Sequence, residues 1–277
     1  MSFYHDVVSS LDLTRPQIMG ILNVTPDSFS DGGHFFSVDA AVQRALIMVE
    51  EGASVIDVGG ESTRPGAAIV GVQEEIDRVV PVIEALRNEI SVPISVDTRK
   101  PEVMRAALAV GAGLINDVTA LRAPGALQVA AQAHVPVCLM HMLGEPNSMQ
   151  AHPEYRDVVG EVKTFLVERI AACLAAGIGR DRLIIDPGFG FGKTLQHNLT
   201  LLRRLEEFSA LGIPLLIGLS RKSMIGTLLD EAAPQRRVFA GAALTMFALS
   251  KGATLIRTHD VRATRDVLKM HAALSSL

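Results

Sequence analysis

About eight short apolar runs punctuate the chain, and each ends in something polar. The run ends read Asn23, Gly59-Gly60-Glu61, Asp97, Asn116-Asp117, Met140-His141, Asp186, Ser220-Arg221-Lys222 and Arg257-Thr258-His259. The runs are β-branched and apolar nearly throughout, as expected of strands covered on both faces. They predict strands at approximately 18–23, 54–59, 93–97, 114–117, 136–140, 183–186, 215–219 and 254–258. Between them lie segments of helical period. Val72, Ile76, Val79, Val80 and Ile83 share one predicted helix face, and Val158, Val162, Phe165, Leu166 and Ile170 share another. Pro81 is predicted to bend the first of these helices.

The punctuation is regular. Gly52, Gly111, Gly177, Gly212 and Gly252 each fall between a helical segment and the next apolar run, where a left-handed residue stops a helix at little cost. Pro93, Pro136 and Pro214 open runs, where a missing N–H does least harm. Eight strands alternating with helices over about 250 residues predict an α/β fold, a (β/α)8 TIM barrel. The alternative is an open doubly wound sheet, which would gather its polar residues at one switch point. Polar groups at nearly every strand end favour the barrel and make one of its faces a working surface. No composition break suggests a second domain. Residues 1–16 read as a short N-terminal lead-in, and 17–277 as a single domain.

Composition narrows the chemistry. With 277 residues, 48% hydrophobic and 20% charged, the chain can bury a large core. A net charge of -4 offers no field for nucleic acid, so an anionic ligand has to be held by local cations or helix ends. The start, Met1-Ser-Phe-Tyr-His-Asp, lacks the pattern of a signal peptide, and no apolar stretch is long enough to span a bilayer. Cys138 and Cys173 share no metal or redox spacing and read as buried thiols, which points to the cytoplasm.

Two long glycine-rich loops follow the first two runs, Asn23 to Gly33 and Gly59 to Gly66. Most such connections take a few residues; long polar loops at strand ends read as lids or phosphate-handling segments, although Asp-Gly-Gly and Arg-Pro-Gly are also plain turn sequences. Asp186-Pro-Gly-Phe-Gly-Phe-Gly-Lys-Thr194 is not a nucleotide P-loop, since the glycine that motif needs falls at Pro187. It leaves a carboxylate at a strand end and a loop whose Phe189 and Phe191 are predicted to wall a flat ligand. Asp97, Asn116 and Asp186 can converge in a barrel mouth. Each alone could be a helix cap or a satisfied core polar group, but together they suit a heterocycle with several N–H donors. A metal cage is the competing use, yet neither His-x-His after the first run nor His-Glu-x-x-His is present. His141 reads as structural. Ser220-Arg221-Lys222-Ser223 and Arg257-Thr258-His259 end the last two runs, where barrels often bind phosphate. The acidic partners favour Lys222 as a charged donor over a Schiff-base amine.

In order along the chain, Asn23-Val-Thr-Pro-Asp-Ser-Phe-Ser-Asp, Asp57-Val-Gly-Gly-Glu-Ser-Thr-Arg-Pro-Gly, Ser95-Val-Asp-Thr, Asn116-Asp, Asp186-Pro-Gly-Phe-Gly-Phe-Gly-Lys, Ser220-Arg-Lys-Ser and Arg257-Thr-His resemble the bacterial dihydropteroate synthase pattern. The resemblance implies condensation of 6-hydroxymethyl-7,8-dihydropterin pyrophosphate with p-aminobenzoate, giving 7,8-dihydropteroate and pyrophosphate in folate biosynthesis. By the same resemblance Asp97, Asn116, Asp186 and Lys222 hold the pterin, and Thr63, Arg257 and His259 bind pyrophosphate. Asn23 meets a Mg2+ ion on that pyrophosphate. Arg64, Pro65, Phe191 and Ser223 form the p-aminobenzoate pocket, where sulfonamides compete in this family. Asp31 and Lys222 carry the catalytic part, Asp31 by stabilising developing positive charge. The family is commonly homodimeric. Arg99, Thr119-Ala120 and the aromatic tip His34-Phe35-Phe36 depart mildly from the pattern. The alternatives are a pterin-binding methyltransferase domain, which has no need of Ser220-Arg-Lys-Ser, and a non-catalytic pterin-binding protein, which has no need of Arg257 and His259.

Overall fold

The computed structural model describes residues 11–25, 37–62, 69–144 and 149–275. Eight parallel strands form one sheet: β1 Gln17–Asn23, β2 Val55–Gly59, β3 Ile94–Asp97, β4 Leu114–Asp117, β5 Val137–Met140, β6 Leu183–Asp186, β7 Leu216–Ile217 and β8 Leu255–Thr258. Their order is β6-β5-β4-β3-β2-β1-β8-β7. The ring closes where Ile185 bridges Leu215 in parallel and its N–H donates to the Pro214 carbonyl at 3.0 Å. The sheet is therefore a barrel, and the open doubly wound alternative falls away. The predicted strands match within a residue except the seventh, which pairs over only two residues before Gly218.

Helices between the strands form the outer ring: α1 Val38–Glu51, α2 Val72–Glu89, α3 Pro101–Val110, α4 Ala126–Ala133, α5 Val158–Ala175, α6 Leu195–Arg203, the single turn α7 Glu206–Ser209, α8 Ser223–Leu229, α9 Val238–Ser250 and α10 Val261–Ser275. All five predicted stop glycines have positive φ. Pro93 and Pro136 sit just before β3 and β5, yet their carbonyls accept from Ile56 and Ile115 at 3.1 and 3.0 Å. Each proline thus gives the ladder an acceptor while withholding only a donor. No helix among the described residues is long and apolar enough to cross a membrane.

One predicted helix face needs correcting. In α2 the buried stripe is Glu75, Val79, Val82, Ile83 and Leu86, while Val72 is exposed and Ile76 and Val80 are half-buried. The stripe is rotated because Glu75 points inward to pair with Lys100, an electrostatic gain that apolar periodicity cannot show. Pro81 lies on the exposed side of a helix that runs unbroken past it. In α5, Val158, Val162, Leu166 and Ile170 are buried as predicted, with Phe165 half-buried against the same core.

The strands sort their residues by a period of two. Ile18, Leu22, Ile56, Val58, Ile94, Val96, Ile115 and Ile256 join the large core under the helices. Met19, Val55, Leu114, Cys138, Ile184, Leu216 and Leu255 form a separate cluster inside the barrel. Leu11 and Leu13 of the lead-in pack against that inner cluster, so the segment before β1 covers apolar surface at the end of the barrel where the strands start.

Candidate functional site

Two residues further along the same strands, the inward positions change character. Above Val55 comes Asp57, above Ser95 comes Asp97, above Leu114 comes Asn116, above Ile184 comes Asp186 and above Leu255 comes Arg257. Register places them side by side: Asp97 pairs with Asn116 and Asp57 with Ser95, while Met140 pairs with Asp186. Parallel strands joined by helices cannot avoid bringing these ends to one mouth.

Arg257 spans the mouth. Its Nε donates to Asp57 Oδ2 at 2.6 Å, and its NH2 group donates to Asp97 Oδ2 at 2.6 Å. Asn116 Nδ2 also donates to Asp57 Oδ2, at 3.0 Å. Burial raises the Asp97 carboxyl to about 7 against the lowering influence of Arg257. Burial likewise raises Asp186 to about 6, opposed by the Gly188 N–H, Lys222, Lys193 and Arg257. Asp186 Oδ1 accepts that Gly188 N–H at 2.7 Å. Carboxylates this reluctant to ionise, and mostly buried, gain from any ligand that brings N–H donors.

Asp117, next to Asn116, faces other work. It accepts from the Thr119 and Leu121 backbone N–H groups at 2.7 and 2.8 Å, holding a turn in which Ala120 and Leu121 have positive φ. The loop after β6 is gripped still more firmly. Lys193, buried to 3% exposure, directs Nζ at the carbonyls of Gly188 and Phe191, at 2.9 and 3.0 Å, and at His141 Nδ1, at 2.9 Å. Burial, with Lys193 beside it, lowers His141 to about 2, so its ring is neutral and Nδ1 serves as acceptor. The structural reading of His141 holds. Gly188 is required here because a Cβ would stand 1.9 Å from the His141 carbonyl oxygen.

The two loop phenylalanines part company. Phe189 is fully buried in the large core, so the expectation that it walls a ligand is corrected: it lies past the end of β6, in a loop whose Gly188 and Gly190 have positive φ. Phe191 stays half-buried against Val118, Met140, Met142 and Met149. Lys222 Nζ stands 4.2 Å from the Phe191 ring centroid. Lys222 is the N-cap of α8, and Ser223 is the exposed first residue of that helix.

The cations after β7 and β8 are not a loose cluster. Arg221 has a positive φ and makes a two-pronged pair with Asp260, at 2.6 and 3.1 Å. That sends it away from Lys222. Ser220 Oγ lies 3.1 Å from His259 Nδ1 and accepts from the His259 backbone N–H at 3.1 Å, fixing the ring at the rim. Arg257, expected among phosphate ligands, instead lies between two carboxylates.

Asn23 ends β1 in register with Gly59. No group of three His, Cys, Asp or Glu that could hold a metal occurs among the described residues. Asp31, Thr63, Arg64 and Pro65 lie outside the described residues.

Apolar periodicity points to neither Asp57 nor Lys193 as a site residue. A carboxylate inside an otherwise apolar strand was the available sign for Asp57, and its spacing of two from Val55 and Gly59 gives its side. Nothing local marks Lys193, since its burial depends on the end of β5.

The family model described as pterin binding enzyme matches residues 19–259. The dihydropteroate synthase of Escherichia coli (strain K12) is 53% identical over 268 residues, covering 97% of this chain and 95% of the relative. The structure of Xanthomonas albilineans dihydropteroate synthase with 4-aminobenzoic acid superposes with a TM-score of 0.92 at 55% identity, covering 96% of each chain. The same organism's enzyme in complex with 7,8-dihydropteroate gives 0.89 at 52% identity, again over 96% of each chain.

Proposed function

Because the chain belongs to the pterin-binding enzyme family, as one of its dihydropteroate synthases, we propose how its own residues divide the reaction. The carrying observation is the mouth itself: Asp97 and Asn116 are register neighbours, Asp186 pairs with Met140 and feels the charge of Lys222, and Lys222 lies over the Phe191 ring. Acceptor-only carboxylates match ring N–H and amino donors, while the Lys222 ammonium matches ring oxygen and nitrogen acceptors. This assigns the dihydropterin to the interior. Phe191, beside Lys222, and Ser223, the residue after it, are assigned with Arg64 and Pro65 to p-aminobenzoate.

His259, oriented by Ser220, meets the pyrophosphate together with Thr63. Arg257 reaches it from the ring side, exchanging part of its contact with Asp97 when the carboxylate turns to the pterin. Asn23 offers one neutral amide oxygen, which suits a Mg2+ ion that takes its remaining ligands from phosphate and water. That ion, when bound, neutralises charge on the leaving group. The C–O bond to pyrophosphate breaks, the arylamine nitrogen forms the new C–N bond, and its proton passes to solvent. Buried carboxylates, with Asp31, stabilise the positive charge that develops on the pterin side. A neutral arylamine needs no strong base.

The reading also places the reaction in the cytoplasm, supported by Cys138 and Cys173 being buried thiols. It further holds that two copies associate through α9. That helix contains no charged residue, yet it buries only Thr245, Ala248 and Leu249, and Phe239 is 90% exposed. An apolar helix left this open calls for a partner. Sedimentation should find a dimer, and Phe239→Glu a monomer; a wild-type monomer at working concentration ends the dimer proposal. For the reaction, pyrophosphate release with Mg2+ should depend on p-aminobenzoate. Absence of a p-aminobenzoate-dependent product would overturn the assignment.

A further inference from the structure

We propose that Asp57 is a positioning residue that sets both Arg257 and Asn116 for the pterin, an inference resting on the pterin reading of the mouth. Asp57 is fully buried in β2, and one of its oxygens, Oδ2, accepts from both partners, Arg257 Nε at 2.6 Å and Asn116 Nδ2 at 3.0 Å. A carboxylate can only accept, so Asp57 decides which end of the Asn116 amide faces down and leaves Oδ1 to face the ligand. It also fixes the inner edge of the Arg257 guanidinium, whose outer edge rests on Asp97. Asp97 is free to answer a ligand because Arg257 keeps a second, deeper counter-charge.

Stability alone does not account for Asp57. Its other oxygen, Oδ1, is buried without a hydrogen-bond partner among the described residues, and so is Oγ of Ser95, its register neighbour on β3. An unsatisfied buried oxygen is a cost, and a buried charge pair is weak support for a fold compared with apolar packing. One step down the same strands, at Val55 and Leu114, the barrel interior packs with apolar side chains. A carboxylate retained here, with half its capacity unused, fits a role in geometry rather than cohesion.

The test uses the full chain and separates substrates. Asp57→Asn keeps the shape and removes the acceptor-only charge. The KM for 6-hydroxymethyl-7,8-dihydropterin pyrophosphate should rise about ten- to hundredfold, the worth of a hydrogen bond to a charged group. The KM for p-aminobenzoate should stay within about twofold. In an Arg257→Lys background, where a single ammonium cannot span two carboxylates, Asp57→Asn should add much less than it does alone. An unchanged pterin KM, equal rises for both substrates, or fully additive effects would each overturn the proposal. Should Asp57→Asn not fold, Asp57→Ser with the same KM split takes its place, with the same outcomes. An inactive wild type would be a failure of the reaction assignment, distinct from all of these.

Discussion

The barrel interior is two rooms one period apart. The lower is lined by Met19, Val55, Leu114, Cys138, Ile184, Leu216 and Leu255 and covered by Leu11 and Leu13. The upper holds Asp57, Asn116, Asp97, Asp186 and Arg257. The same strands supply both, and a step of two residues, about 7 Å, takes the chain from an apolar plug to a charged cradle. Below, every group is satisfied by contact. Above, two carboxylates are held away from their ordinary ionisation and one oxygen of Asp57 has no partner among the described residues. Cohesion and reactivity are separated along the strand, so the cost of an unsettled mouth is carried by a settled base.

If that division is right, the lower room should break stability and leave recognition alone. Leu114 is fully buried in the plug, and Leu114→Ala should lower unfolding stability by about 2–5 kcal/mol, the usual cost of such a cavity. Chemical denaturation reads this directly. The folded fraction should keep the wild-type KM for both substrates; a selective rise in pterin KM would show that the rooms are not independent.

The upper room should respond the other way. Lys222→Ala removes the ammonium beside Phe191 and should weaken pterin binding by about a hundredfold, at the upper end for a charged hydrogen bond. Its unfolding midpoint should move little, because Lys222 is half-buried at a helix start. Unchanged affinity by calorimetry would take Lys222 out of the site.

How far these rooms were legible in the sequence follows from the same period. The strands could be read because both of their faces are apolar, and their ends because polar residues interrupt them at Asn23, Asp97, Asn116 and Asp186. What could not be read is which neighbour a long side chain chooses. Arg257 abuts an apolar strand and suggests a phosphate, but its inward position brings it between Asp57 and Asp97. Phe189 and Phe191 look alike in the run, yet the glycine-bent loop after β6 sends one to the core and one to the mouth. Glu75 turned a whole helix face by pairing with Lys100. Each of these depends on a partner at least 25 residues away, beyond any local pattern.

Lys193 stands between the rooms' two behaviours, since it is buried like the base yet serves a loop of the mouth. Lys193→Met keeps the stem and leaves the carbonyls of Gly188 and Phe191 and the His141 nitrogen without their donor. The loop should loosen where it carries Phe191. The KM for p-aminobenzoate should rise about tenfold, the worth of one to two hydrogen bonds. Steady-state kinetics with each substrate varied in turn checks this; a change confined to pterin would place the loop's influence on Asp186 instead.

The smallest effect is a fraction of a proton, and it bears most directly on the cradle's electrostatics. Asp186 has a carboxyl raised by burial to about 6, so the folded state holds that proton more tightly than the unfolded chain does. Its contribution therefore makes stability fall as pH rises from the unfolded value, about 4, through about 6, and stay level above. Ring N–H donors favour the ionised carboxylate, so a bound pterin should draw the value down and release protons. Near pH 6 Asp186 should release about half a proton, with a larger share from Asp97, whose value is about 7, and above pH 8 both shares should fade. Calorimetry of pterin binding in two buffers of different ionisation enthalpy measures the release. Asp186→Asn should abolish its share of both the release and the slope of stability with pH. If release is the same at pH 6 and pH 8, the donors meet carboxylates that were already ionised, and the cradle is not held away from ionisation by its burial.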